Sequence, residues 1–232
     1  MALVSVEKFL NGQVLLINKP FGWSSFDVVK KVQYLIRKKY NLKKIKVGHA
    51  GTLDPLATGL LIICTGKFTK IISKIQDQEK TYTGSIILGG TTPSYDLETE
   101  IDNNYKTSHI TKELIHKACK QFIGKISQKP PIFSALKYQG ERLYKKARRG
   151  ERVAVESRAV NITKFNITSI ENLTVNFEIS CSKGTYIRSI ANDFGSALNS
   201  GGYLSSLCRT AIGDYKLSDS IDLEGFEGVL NK

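Results

Sequence analysis

Apolar positions along the 232-residue chain alternate between strand-like and helix-like spacing. The first apolar run, residues 14–17, predicts a short strand. Pro20 and Gly22 follow it and would end regular structure there. Ser24 with Asp27 three positions later is typical of a helix capping box. The helix predicted after this box has one apolar face, made of Val28, Val32, Leu35 and Ile36.

The same mixture of spacings continues along the chain. The run 60–64 predicts a buried strand, and the alternation over 80–88 predicts a strand with one apolar face. A helix is predicted over 111–122, with these residues facing inward: Leu114, Ile115, Ala118 and Phe122. A further strand is predicted over 173–181 and a helix over 187–198. The pattern therefore predicts that helices and strands alternate along the chain, but it does not show how the strands pair.

Residues 48–61 form an irregular stretch of fourteen residues between the first predicted helix and the strand over 60–64. Its glycines and its proline are typical of a tight backbone. One carboxylate, Asp54, lies at its centre, and Pro55 biases it away from the helical region. We expect this loop to hold one acid in a fixed pose, although an ordinary surface turn would have the same composition.

The net charge of +13, with a pI of about 9.5, indicates a polyanionic partner, either nucleic acid or an anionic membrane surface. Residues 125–152 carry nine Lys or Arg against Glu141 and Glu151, a net charge of +7. Prolines and aromatic rings interleave with these charges. Cations suit phosphates and rings suit unstacked bases, so this segment predicts an RNA contact; a solvated basic loop is the alternative.

The remaining composition argues against several classes of protein. No apolar run approaches the roughly 18 residues that a membrane span needs, and we expect a cytoplasmic protein. The four cysteines show no CxxC spacing, and the three histidines form no zinc motif. Glycine-rich phosphate-binding motifs are also missing from the sequence. We therefore expect no metal and no nucleotide cofactor.

The stretch HAGTLDPLATG, residues 49–59, resembles the signature of the TruB family, the bacterial tRNA pseudouridine-55 synthases. Further segments match the family in its order, from about residue 14 to residue 213: Lys19-Pro20 with Gly22, residues 131–137, residues 181–188, and Leu207 with Arg209. The resemblance implies an α/β (α+β) fold, with a mixed, mostly antiparallel central sheet flanked by helices. It also implies one pseudouridine synthase catalytic domain over residues 1–232, with 125–152 as a basic RNA-binding insertion.

The sequence departs from the family pattern in two ways. Glu100 stands where the family usually has a glycine, close to Asp96. Only 19 residues follow Gly213, too few for the C-terminal RNA-binding PUA domain of many relatives, so the resemblance implies a short form without it.

The reaction implied by the resemblance detaches uracil from C1′ of a uridine, turns the ring and rejoins it through C5. No cofactor is needed, but one carboxylate must attack or take a proton. By resemblance that residue is Asp54, and Arg188 pairs with it to keep the acid ionised. Tyr82 matches the ring that stacks on the target base, and Lys19 matches a residue that supports the loop.

Several other residues match the family's substrate-binding positions: His49, Asp96, Tyr186, Leu207, Lys137, Lys145 and Arg148. The implied partner is the T-arm stem-loop of tRNA, with uridine 55 flipped out of its stack. We expect a monomer with no metal, no nucleotide cofactor and no membrane partner.

Two other functions stay open from the residues alone. A non-catalytic module that binds or folds tRNA would not need Asp54. An N-glycosidase-like hydrolase would release free base and would normally need a second carboxylate, for which Asp96 is the candidate.

Overall fold

The computed structural model describes residues 5–151 and 153–231, so Arg152 of the basic segment lies outside the described residues. The chain divides into two compact units, residues 1–82 with 207–232, and residues 83–206. The first unit is therefore built from both ends of the chain, and the second from its middle.

The first unit contains four helices: α1 (Val6–Asn11), α2 (Ser25–Lys39), α3 (Ile72–Asp77) and α7 (Leu223–Asn231). Its strands are β1 (Val14–Lys19), β2 (Val47–His49), β3 (Thr58–Thr65), the start of β4 (Lys80–Leu88), the end of β12 (Gly202–Ile212) and β13 (Tyr215–Lys216). Short 3-10 helices occupy Gly66–Ile71 and Leu217–Asp219. The capping box at the start of α2 is present, with Ser24 and Asp27 exchanging hydrogen bonds.

Strand β3 is the centre of the first unit. It pairs antiparallel with β1 and β2 and parallel with β12. Successive side chains of a strand point to opposite faces. Leu61 and Ile63 accordingly pack in a core cluster with α2, whereas Leu60 and Ile62 pack in a second cluster with Ile75. Burial on both faces explains why the sequence of this strand is continuously apolar.

The second unit contains α4 (Lys112–Lys120), α5 (Leu143–Arg148) and α6 (Ile187–Ala197). Its longer strands are β7 (Gly124–Gln128), β10 (Arg158–Glu171), β11 (Thr174–Cys181) and the adjoining parts of β4 and β12. Two short antiparallel pairs are also present: β5 (Gly90–Thr91) with β6 (Asn103–Asn104), and β8 (Lys137–Tyr138) with β9 (Glu141–Arg142). The strand order is β4-β11-β10-β7, and β10 is antiparallel to both of its neighbours.

Phenylalanine rings form the centre of the second unit. Phe165 meets Phe122, Phe177 and Phe194 at centroid distances of 6.2, 6.1 and 5.6 Å, in tilted or edge-on arrangements. Such geometries are the favoured ones for aromatic pairs. The rings join α6 and the segment just after α4, which carries Phe122, to strands β10 and β11.

The predicted fold class is confirmed: the structure is mixed α/β, and among the strand pairs whose register is described only β3 and β12 run parallel. Within the described ranges, no helix is both long and apolar enough to cross a membrane.

The inward orientation predicted for Leu114 is wrong, because its side chain is 41% exposed. The buried face of α4 is formed by Ile115, Ala118 and Cys119. Leu114 is one residue, about 100° of helical rotation, away from Ile115, and this places it at the edge facing solvent. Cys119 is buried on that face as well, which the pattern did not predict.

These neighbours on α4 give a matched stability test. Ile115→Ala removes a side chain that is 2% exposed, so it should lower the free energy of unfolding by about 2–5 kcal/mol. Leu114→Ala should change it by less than about 0.5 kcal/mol. Urea denaturation of both variants measures the difference, and equal losses would contradict the orientation of α4.

Candidate active site

Of the stretch predicted to be irregular, residues 48–49 belong to β2 and residues 58–61 to β3, so only residues 50–57 form a loop. The side chain of Arg209, which is 1% exposed, anchors this loop and the start of β3. Its Nε donates to the carbonyl of Leu60 at 2.9 Å. Its terminal nitrogens donate to the carbonyls of Gly51 at 3.0 Å and Thr52 at 3.3 Å. One guanidinium therefore binds three carbonyls: those of Gly51 and Thr52 outside the strands, and that of Leu60 in β3.

The close approach of β12 to β3 requires glycine at position 59. Gly59 has a φ of +100°, and a Cβ there would lie 2.4 Å from the carbonyl oxygen of Arg209. Any other residue would strain the backbone and separate the two strands.

The residues on both sides of Asp54, Leu53 and Pro55, are bound by the segment that starts α2. The Ser25 hydroxyl accepts from the Leu53 amide at 2.8 Å and donates to the Leu53 carbonyl at 3.0 Å. The Gly22 amide donates to the carbonyl of Pro55 at 2.9 Å. Asp54 itself is half-buried, and its carbonyl accepts from the Ala57 amide at 3.1 Å, which closes a turn.

Lys19 is fully buried at the end of β1 and contacts the same loop. Its Nζ donates to the carbonyls of Trp23 at 2.7 Å, Pro20 at 3.0 Å and Pro55 at 3.4 Å. Three carbonyls match the three N–H bonds of an ammonium group. Burial lowers the pKa of Lys19 to about 8; the charge of Asp54 opposes this shift and that of Arg209 adds to it.

Three more of the predicted site residues belong to the first unit. His49 lies on β2, and burial, helped by the charge of Arg209, lowers its pKa, so the imidazole is uncharged at neutral pH. Its Nδ1 is buried and finds no hydrogen-bond partner among the described residues. Tyr82 lies on β4 and is 8% exposed, while Leu207 lies half-buried on β12.

Asp96 and Arg188 face each other in the second unit. Both are buried, and Arg188 Nε lies 3.5 Å from Asp96 Oδ2. Arg188 also donates to the carbonyl of Ser94 at 3.2 Å, and Asp96 Oδ1 accepts from the Glu98 amide at 3.0 Å. The turn adopts a left-handed backbone at Tyr95, with a φ of +65°. Asp54 and Arg188 belong to different units, and their pairing stays a prediction.

The start of α6, which carries Arg188, is held by Gln128 of β7. The Gln128 side chain accepts from the amide of Tyr186 at 2.8 Å and donates to its carbonyl at 3.0 Å. The guanidinium of Arg158 lies 4.8 Å from the centroid of the Tyr186 ring. Gln128 and Arg158 were not singled out by the sequence, because neither belongs to a recognisable motif.

Carboxylates neutralise part of the charge in the basic segment. Arg149 forms two hydrogen bonds of 2.7 Å with Glu141 and one of 2.7 Å with Glu151. Lys146 pairs with Glu151 at 3.0 Å, and Arg148 pairs with Glu98 at 2.7 Å. In contrast, Lys137 and Lys145 lie exposed on β8 and α5.

Potential metal ligands are dispersed in the described part of the chain, where no group of three or more His, Cys, Asp or Glu could hold a metal ion. The four cysteines are free thiols. Burial raises the pKa of Cys64 and of Cys119 to about 11, so both thiols are protonated at neutral pH.

The buried ammonium of Lys19 gives a pH test. The pKa is about 8 in the folded protein and 10.5 in a free lysine, so between these values the unfolded chain binds a proton that the folded chain does not. The free energy of unfolding contributed by this group should therefore rise with pH over that window, by up to about 3 kcal/mol.

Lys19→Met lacks this titration and serves as the control. Urea denaturation gives the free energy of unfolding of both proteins from pH 7 to pH 10.5. The wild-type value should rise relative to that of the variant by this amount, and a constant difference between the two would rule out the lowered pKa. If the variant does not fold, a lysine-selective NMR titration of the wild-type protein gives the same value.

Comparisons with known proteins agree with this architecture. The family model for the N-terminal domain of TruB family pseudouridylate synthases matches residues 37–187. The tRNA pseudouridine synthase B of Flavobacterium johnsoniae is 60% identical over 97% of this chain and 98% of its own length. That of Phocaeicola vulgatus is 50% identical over 97% of this chain and 95% of its own.

Among solved structures, the crystal structure of a Cbf5-Nop10-Gar1 complex contains a chain with a TM-score of 0.72 and 27% identity. The match covers 97% of this chain and 56% of that one, so this chain spans little more than half of its length. The family match over more than half of the chain and the near-complete coverage by relatives lead to one conclusion: the chain belongs to the TruB family of pseudouridylate synthases.

Proposed function

We propose that this protein converts a uridine of tRNA to pseudouridine, and that its target is uridine 55 in the T-loop. The observation that carries this proposal is the single carboxylate, Asp54, on a loop whose carbonyls are fixed by two buried cations, within a chain of this family. Relatives that match nearly the whole chain are tRNA pseudouridine synthases. The T-loop target follows from the resemblance of residues 49–59.

In the proposed reaction the target uridine is flipped into the site. The bond from N1 to C1′ breaks, the uracil ring turns, and a bond from C5 to C1′ forms. The proton of C5 is lost and N1 gains one, so product and substrate are isomers. Asp54 is the reacting carboxylate, whether it attacks covalently or takes a proton.

The loop geometry supports this role through preorganisation. The backbone of Leu53 and Pro55, on either side of Asp54, is bound by Ser25, Gly22 and Lys19, so little backbone freedom remains to be lost when RNA binds. His49 is uncharged, which suits an imidazole that stacks in the place of the flipped base. Tyr82 is proposed to stack on the target uracil, and Arg188, oriented by Asp96, to pair with Asp54.

Lys137, Lys145 and Arg148 are proposed to contact RNA phosphates, and Tyr186 and Leu207 to line the base pocket. We further propose one catalytic domain acting as a monomer. The reaction needs no redox or hydrolytic step, so no cofactor enters it.

Replacing the reacting acid tests the proposal directly. Asp54→Asn should abolish pseudouridine formation in a T-arm stem-loop and leave tRNA binding within a few-fold, because the amide keeps the loop's shape without the reacting group. Pseudouridine and released uracil are both mapped after incubation. Turnover by the purified variant would refute the role of Asp54, and free uracil from the wild-type protein would favour an N-glycosidase instead.

The basic segment gives a second test with an internal control. Lys137→Ala with Lys145→Ala should weaken tRNA binding and lower the log–log salt slope by roughly 1.8, about 0.9 for each phosphate contact. Arg149→Ala should lower the slope by much less, because Glu141 and Glu151 already pair with that guanidinium. An unchanged slope in the double lysine variant would place the phosphate contacts elsewhere.

A further inference from the structure

Large aromatic side chains are exposed on one short part of the first unit. Phe21 is 64% exposed, Phe26 59%, Tyr34 56% and Trp23 37%. These four rings fall within fourteen residues, whereas the described parts of the chain outside this stretch expose only Phe68, Tyr105 and Tyr138 to this degree. Such a concentration of exposed rings is typical of a binding surface.

Lysines alternate with the rings along α2. Phe26, Lys30, Tyr34 and Lys38 follow one another at intervals of four residues, so they lie along one side of the helix. The Lys30 ammonium lies 4.6 Å from the centroid of Phe26, and that of Lys38 lies 5.9 Å from the centroid of Tyr34. The rings stay exposed despite these contacts. The row extends for about 18 Å along the helix.

We call this surface the aromatic–lysine track; its members are Phe21, Trp23, Phe26, Lys30, Tyr34 and Lys38. Its first part is attached to the loop that carries Asp54. The carbonyl of Trp23 accepts from the buried Lys19, and the Gly22 amide donates to the carbonyl of Pro55. Ser25, next to Phe26, binds both the amide and the carbonyl of Leu53. The track therefore begins at the candidate active site and leads away from it.

We propose that the aromatic–lysine track binds unpaired nucleotides of the RNA substrate that flank the hairpin holding the target uridine. This inference rests on the proposed function and extends it to a second contact. Unpaired bases can stack on exposed rings, and their phosphates can meet the lysines between the rings. Bases inside a duplex are already stacked on one another and would leave the rings unused.

Charge and position favour RNA over the other possible occupants. A second copy of this chain would bring its own lysines against Lys30 and Lys38, in a protein with a net charge of +13. An anionic membrane would satisfy rings and lysines equally well, but it would not need a surface attached to the loop of Asp54. RNA must approach that loop for the reaction to occur.

The chain's single tryptophan, Trp23, lies in the track and gives a direct signal. The probe is a twelve-nucleotide oligoadenylate, which contains no uridine and therefore reports binding without reaction. It should quench the Trp23 fluorescence, and a blunt RNA duplex of twelve base pairs should quench it much less. Phosphatidylserine vesicles form a third arm.

Two double variants separate rings from charges. Phe26→Ala with Tyr34→Ala should weaken oligoadenylate binding at least tenfold at fixed salt and keep the salt slope. Lys30→Gln with Lys38→Gln should lower the log–log slope by roughly 1.4, about 0.7 for each phosphate on a single strand. Controls are Phe68→Ala and Lys70→Gln with Lys74→Gln, exposed residues of the same unit outside the track, which should bind as the wild type does.

Wild-type affinity in the ring variant, equal binding of the duplex, or quenching by vesicles but not by oligoadenylate would each overturn the proposal. The first two outcomes would show that bases do not stack on these rings, and the third would indicate that the track binds a membrane surface. Pseudouridine formation in a T-arm hairpin is measured separately on the same wild-type protein. Oligoadenylate binding can thus contradict the role of the track while pseudouridine formation supports the proposed function. The opposite pair of results can be distinguished in the same way.

Discussion

The candidate active site depends on carbonyl groups that are bound by buried cations. Residues 50–57, between β2 and β3, belong to no strand, yet carbonyls left without donors inside a protein are costly. Arg209 donates to the carbonyls of Gly51 and Thr52 and to that of Leu60 in β3, and Lys19 donates to the carbonyl of Pro55. Burying two positive charges close together is unfavourable in itself. The carboxylate of Asp54 offsets part of that cost, since its charge raises the pKa of Lys19.

In the second unit, buried charge is compensated by an ion pair as well as by contacts with the backbone. Asp96 and Arg188 share a buried site in which each charge has the other as a counterion. The basic segment combines paired and exposed cations, so its net charge overstates the number of groups ready to meet phosphate. Pairing of Arg149 with two glutamates also orders the residues around α5, which would place Lys145 on a defined support. Charge count and charge availability are therefore different quantities here.

The sequence predicted the elements whose signals are local. The capping box, the continuously apolar strand β3 and the alternation along β4 are confirmed because each depends on neighbours in the chain. Helices α1 and α7 and strand β2 were missed, because these short elements are stabilised mainly by contacts with residues distant in sequence. The roles of Ser25 and Arg209 were missed for the same reason. A motif can show that Arg209 belongs to a family pattern, but only the fold shows which carbonyls it reaches.

The contact between Arg209 and the loop joins residues that are 149 to 158 positions apart in the chain. At a synthesis rate of roughly 5–20 residues per second, the loop would wait about 8–30 s on the ribosome before its anchoring side chain is made. Closing so long a separation adds an entropic barrier that local elements do not face. Helix α2 and strands β1 to β3 can form early, whereas the loop that carries Asp54 gains its contacts with Arg209 only after the whole second unit has been synthesised. Until then a partly made chain could hold the acid only through the contacts of Ser25, Gly22 and Lys19, without the anchor that Arg209 supplies.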